Sequence, residues 1–167
     1  MKITAHPELS SIQRTRDVQV REDVTLRVRA LSPMFADDAE REIPTPRPPR
    51  TGIEKNAKGS PVFDDAGMTI PAYDFDDVDY RTALQEANVL QGVKMIIDAL
   101  EPGQIEFEAE HNGADPAAYY RAVRKEMTAF GFNVGDQLAL LNAVREVSGI
   151  SAEDIEAARL GFSTEEN

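Results

Sequence analysis

Few groups in this chain could do chemistry. The histidines are His6 and His111, and the densest carboxylate run is Asp74-Phe75-Asp76-Asp77-Val78-Asp79. His111 lies in Glu108-Ala109-Glu110-His111-Asn112, and a Glu/His cluster is a donor set for a divalent metal. Its spacing matches no His-Glu-x-x-His pattern and it precedes a Gly-Ala-Asp-Pro turn, which favours an exposed loop histidine. The Asp74–Asp79 run suggests calcium, but an EF-hand loop needs alternating ligands, a central Gly and a terminal Glu between two helices. Capping and helix-dipole complementarity account for these carboxylates without an ion. The 167 residues contain no Cys, which excludes disulfides, thiolate metal sites and thiol nucleophiles. No Gly-x-Ser-x-Gly, P-loop or Gly-x-Gly-x-x-Gly motif occurs. The expectation is a protein that is not an enzyme, with no catalytic residues, no cofactor and no metal.

Such groups need elements to position them, and the chain is divided by Pro44-Thr45-Pro46-Arg47-Pro48-Pro49. Each proline fixes φ and removes an N–H, so neither a helix nor a central strand passes through. Pro46-Arg47-Pro48-Pro49 approximates a ligand for an SH3-type groove, although a stiff spacer is the preferred reading. Upstream, Thr15–Val20 and Thr25–Ala30 alternate, with Leu26, Val28 and Ala30 on one face. This predicts a hairpin with one half-buried face, which needs a partner surface because two strands alone are marginal. Ser32-Pro33 then predicts a cap and first position for a short helix from Pro33 to Arg41. Downstream, Asp65-Ala66-Gly67 is the turn of a second small hairpin flanked by Val62, Phe63, Met68 and Ile70.

The C-terminal half reads as helical. Asp76-Asp77 precede a helix to about Leu100, with Ala83, Ala87, Leu90, Val93, Ile97 and Leu100 at three- and four-residue steps. Asp115-Pro116 opens a second helix whose inner face is Ala117, Tyr120, Val123, Met127 and Phe130. Asn133 caps a third with the stripe Val134, Leu138, Leu141, Val144 and Val147, ended by Gly149. Ser151-Ala152-Glu153-Asp154 begins a last helix to about Leu160. The expected fold is therefore mainly α within an α+β class. A C-terminal bundle of about four helices follows one or two short β-hairpins and a Pro-rich linker. The expected divisions are a hairpin plus short helix over 1–42, a linker over 43–59 and a small hairpin with acidic segment over 60–79. The helical bundle covers 80–162 and a tail 163–167.

Net charge is −12 and is concentrated. Ser60 to Asp115 carries thirteen Asp/Glu against Arg81 and Lys94, a local balance of −11. That repels phosphate backbones, so no nucleic-acid partner is expected. No apolar run approaches the roughly 20 residues needed to span a bilayer, and the N-terminus shows no apolar signal core, so no membrane partner is expected and a cytoplasmic location is. The 78–100 helix is apolar over more than a third of its girth, which makes it either the central core helix or a surface shared with another chain, including a homo-oligomer. The candidate partner-binding residues are Leu84, Leu90, Val93 and Ile97 on this helix, with Tyr120 and Met127 on the next.

The layout also resembles a known family. A Val-x-Leu-x-Val hairpin leads into Ala30-Leu31-Ser32-Pro33, and the Pro/Arg-rich stretch is followed by Pro61-Val62-Phe63-Asp64-Asp65-Ala66-Gly67. Asp76-Asp77-Val78-Asp79-Tyr80-Arg81-Thr82-Ala83-Leu84 opens a helix. Ile105-Glu106-Phe107, Asp115-Pro116-Ala117-Ala118-Tyr119-Tyr120 and Gly149-Ile150-Ser151-Ala152-Glu153-Asp154-Ile155-Glu156-Ala157-Ala158-Arg159 follow. Over about residues 15 to 162 this is similar to the tail assembly chaperones of long-tailed (siphovirus-type) bacteriophages. The resemblance implies a small acidic protein of the host cell cytoplasm, made during virion morphogenesis. It would bind the tape-measure protein, the tail-tube protein or both, and keep them soluble until the tail forms. The family has no shared catalytic residues to carry over. The alternative is a virion structural subunit, such as a head–tail connector or tail accessory protein, without a chaperone role.

Overall fold

Alternation in the N-terminal stretch builds a two-stranded antiparallel sheet. A computed structural model describes residues 14–21, 24–111, 113 and 115–149. In it β1 (Thr15–Arg21) pairs with β2 (Val24–Arg29) in a register that sets Val18 opposite Leu26 and Arg16 opposite Val28, with a shift between Gln19 and Arg21. Val18, Val20, Leu26 and Val28 share the buried face, as the period of two requires. On the outer face Arg27 Nε donates to Asp17 Oδ1 at 2.6 Å. The guanidinium holds the Asp17 carboxyl below the usual carboxylate range.

The hairpin lies on the helices and does not swing free. Its apolar face joins a single buried cluster with Leu90, Val93, Ile96 and Ala99 of α2 (Val78–Ala99). Tyr120, Val123 and Met127 of α3 (Pro116–Ala129) and Leu140, Ala143 and Val144 of α4 (Val134–Ser148) complete it. Val28 bridges to Leu100, Arg21 donates to the Phe130 carbonyl, and Arg16 pairs with Glu146. Burying each such aliphatic side chain contributes about 1.5–3 kcal/mol, which supplies the partner surface that two strands need.

The helix ends follow the local chemistry. Asp77 accepts from Tyr80 N, Asp115 accepts from Ala118 N with Pro116 at the first position, and Asn133 with Asp136 forms a reciprocal capping box. Gly149 closes α4 at φ 68, a left-handed conformation that glycine adopts without strain. The short helix α1 runs from Phe35 to Glu42, two residues later than expected. Pro33 sits in the preceding turn, and the Ser32 hydroxyl accepts from Met34 N at 3.2 Å in place of a cap. The helix expected over residues 151–160 and the N-terminal stretch with His6 lie outside the described residues.

Residues 43–59 are not a plain spacer. Arg50–Ile53 form β3, paired antiparallel with β4 (Pro71–Tyr73), and the turn expected at Asp65-Ala66-Gly67 is present, with Phe63 bridging to Thr69. Three segments meet in a closed ring of backbone bonds. Glu54 N donates to Ile70 O at 2.8 Å, Ile70 N to Val62 O at 3.1 Å, and Val62 N to Glu54 O at 2.9 Å. This ring satisfies backbone groups that a two-stranded ribbon would leave to water. The arm adds little burial: no described residue from 44 to 86 belongs to the core cluster, which passes from Ile43 to Ala87. Ile53, Phe63, Met68, Tyr73 and Phe75 stay exposed. The first turns of α2 therefore stand beyond the core together with the arm.

Candidate functional site

The helices place two apolar faces on α4, and only one is used by the core. The stripe predicted for α4 ran through Val134, Leu138, Leu141, Val144 and Val147, yet the residues sealed inside are Leu140, Ala143 and Val144. Val134 is 72% and Leu138 52% exposed. The β1–β2 hairpin packs on α4, and Leu140 and Val144 share one buried cluster with its inner face. Phe130 at the end of α3 and Ala83 on α2, also expected on inner faces, are exposed.

The unused face of α4 meets the outer part of α2 to line a groove of about 810 Å³. Its apolar lining includes Leu84, Val89, Val93, Ile96, Leu138 and Leu141, with Val78 and Val134 at one end. A Cβ on Gly92 would lie 3.7 Å from Leu141, so the two helices approach closely there. The charged side chains along the groove are Arg81 and Arg124. Among the described residues no carboxylate lines it, although the chain carries thirty Asp and Glu against eighteen Lys and Arg.

This geometry sorts the six residues proposed from the sequence. Leu84 lines the groove, whereas Val93 lies at its floor, buried as part of the core cluster. Ile97 is half-buried and packs on the core cluster. Leu90, Tyr120 and Met127 are buried; they belong to the core and offer no surface to a partner. Sequence periodicity put all six on one surface because it finds apolar stripes without telling which stripe another element covers. Val134, Leu138 and Leu141 on α4, with Arg81, Val89 and Arg124, are among the groove residues missed. The available signal was the doublet Leu140-Leu141, which gives α4 two apolar faces.

A second constellation was also missed. Lys94 lies inside the apolar stripe of α2 and is 5% exposed. Its Nζ reaches Asp98 Oδ2 at 3.0 Å, Glu42 Oε2 at 3.2 Å and Tyr120 Oη at 3.2 Å, and the Tyr120 hydroxyl donates to Glu42 Oε2 at 2.7 Å. Burial opposes the lysine charge, but the hydrogen bonds to Asp98 and Tyr120 outweigh it and hold the ammonium above the ordinary lysine range. Burial, then the bond to Glu42, pushes the Tyr120 phenol up. Burial would raise Glu42, yet the bonds from Tyr120 and Lys94 bring its carboxyl below the usual range. At neutral pH the three groups are an ammonium, a neutral phenol and a carboxylate. Each shift deepens the resting protonation state, the reverse of what an activated lysine or tyrosine needs. The network ties α1 to α2 and α3.

The remaining candidates take structural places. Asp74 Oδ1 accepts from Asp76 N at 2.9 Å and Asp77 Oδ1 from Tyr80 N at 2.8 Å, which is the capping role expected for this run. His111 is exposed and sits edge-on to Tyr119, ring centroids 4.9 Å apart. Among the described residues no three His, Cys, Asp or Glu side chains are grouped to hold a metal ion, and no helix is long and apolar enough to cross a membrane. No family model matches the chain, and no significant match is found among curated proteins or solved structures.

Proposed function

We propose that this chain is an assembly chaperone for the tails of a long-tailed bacteriophage, a non-enzymatic protein that binds the tape-measure protein, the tail-tube protein or both. In this reading it works in the host cell cytoplasm, covering apolar helical surface on its client until the tail polymerises. The observation that carries it is the uncovered apolar face shared by α2 and α4, with Val134 and Leu138 open to solvent beside a groove of about 810 Å³. An unpartnered apolar groove of this kind suits helix-in-groove recognition, and the resemblance in layout supplies the class of client. The net charge of −12 would keep a chaperone–client complex dispersed.

Co-expression with the tape-measure protein of the same phage tests the reading. The expected result is a soluble complex that co-purifies, with the client insoluble when expressed alone. A client equally soluble alone and never co-purifying refutes it. So does stoichiometric presence of this chain in purified particles, which would make it a virion subunit.

A further inference from the structure

We infer that the α2–α4 groove takes an amphipathic α-helix whose apolar stripe is flanked by carboxylates, and that Arg81 and Arg124 select those flanks. The inference rests on the reading that the chain binds a client protein, and it names the segment of that client. Three features define the occupant. The first is length: groove residues on α2 run from Val78 to Ile96, about 27 Å or five turns at 1.5 Å per residue, and those on α4 from Val134 to Leu141, about two turns, so a docked helix meets α2 along its length and both walls over about two turns. The second is shape. The groove lies between two helices, and its floor of branched aliphatic side chains offers ridges for a third helix to pack into.

The third is charge. In a chain with twelve more acids than bases, the described residues that line the groove include two guanidiniums and no carboxylate. Arg81 has only a loose pairing, Nη1 to Asp76 Oδ1 at 3.9 Å, and that carboxylate is almost fully solvated. Among the described residues the Arg124 guanidinium has no ion-pair partner. Arg121, three residues earlier on α3 and outside the groove lining, is by contrast engaged by Glu86 at 2.6 Å. Guanidiniums beside an apolar floor match carboxylates set at the margin of an apolar helical stripe. The acidic field of the whole molecule would favour a basic helix instead, so the two expectations differ in sign and one experiment separates them.

The probes are two synthetic 18-residue helical peptides with the same Leu/Ala face, one flanked by Glu and one by Lys, titrated by calorimetry against the full chain at low and moderate salt. The Glu peptide should bind about five- to tenfold more tightly, the scale of two exposed ion pairs. The preference should shrink with salt and reverse in the double variant Arg81→Glu, Arg124→Glu. Leu138→Asp should weaken the Glu peptide at least tenfold. Val134→Asp serves the same purpose should Leu138→Asp fail to fold. Equal or tighter binding of the Lys peptide overturns the inference. So does indifference of the Glu peptide to both apolar variants, or a concentration-dependent dimer abolished by Leu138→Asp, which would make the occupant a second copy. The client reading fails separately: Glu-peptide binding without tape-measure capture sinks that reading and leaves the groove assignment standing. Capture unaffected by Leu138→Asp does the opposite.

Discussion

Replacing Lys94 by Met keeps the length and apolar stem of the side chain and removes the ammonium from three partners. In the folded protein that ammonium is almost wholly buried, with Asp98 at 3.0 Å and Glu42 at 3.2 Å. Losing one member of a buried ion pair costs about 3–5 kcal/mol, because the other member is left uncompensated. Here the Glu42 and Asp98 side chains are 24% and 38% exposed, so water reaches both and the cost falls to about 2–3 kcal/mol. For a chain of this size that lowers Tm by about 4–12 °C. Urea unfolding followed by circular dichroism at 222 nm measures it. A Glu42→Gln, Lys94→Met cycle should be less than additive, since both changes remove the same contact.

The pH profile gives an independent check. Lys94 and Tyr120 are held above their ordinary values of 10.5 and 10.0. The unfolded chain therefore releases these protons first, and their contribution is complete below about pH 10 and lost as pH rises through the folded values. Glu42 is held below its ordinary 4.5, so its contribution is present above that pH and lost as pH falls through its folded value. Lys94→Met should shrink both limbs. A variant within 0.5 kcal/mol of the parent at pH 7 (roughly the scatter of surface substitutions), with an unchanged alkaline limb, would refute the network as described.

Two further outcomes follow from the helix ends. Gly149→Ala places a Cβ at φ 68 and should destabilise the fold by about 1 kcal/mol in the same urea assay. Asp77→Ala removes the cap of α2, worth about 1 kcal/mol. Because residues 78–86 lie outside the core cluster, the loss should appear as faster hydrogen exchange in the first turns of α2, with global stability changed by less than half that amount.

What was legible in the sequence were features decided within a few residues. Asp77, Asp115 and Asn133 start helices because a short side-chain oxygen reaches an N–H two or three residues on, and Gly149 ends one because its missing Cβ permits positive φ. Alternation likewise specified the Val18/Val20 and Leu26/Val28 face, and Asp65-Ala66-Gly67 the turn between Phe63 and Thr69. The α+β class was readable on the same grounds. Tertiary structure alone decided which apolar stripe became core. Both stripes of α4 satisfy helical periodicity, and the packing of the hairpin and α2 on α4 determines that Leu140 and Val144 are core while Val134 and Leu138 remain outside. Lys94 is polar by type, and its burial required Glu42, Asp98 and Tyr120 to converge from three helices. Arg50–Ile53 reads as spacer until Pro71–Tyr73 returns to pair with it. Burial is a property of neighbours distant in sequence, whereas capping and alternation are properties of the chain's own next turn.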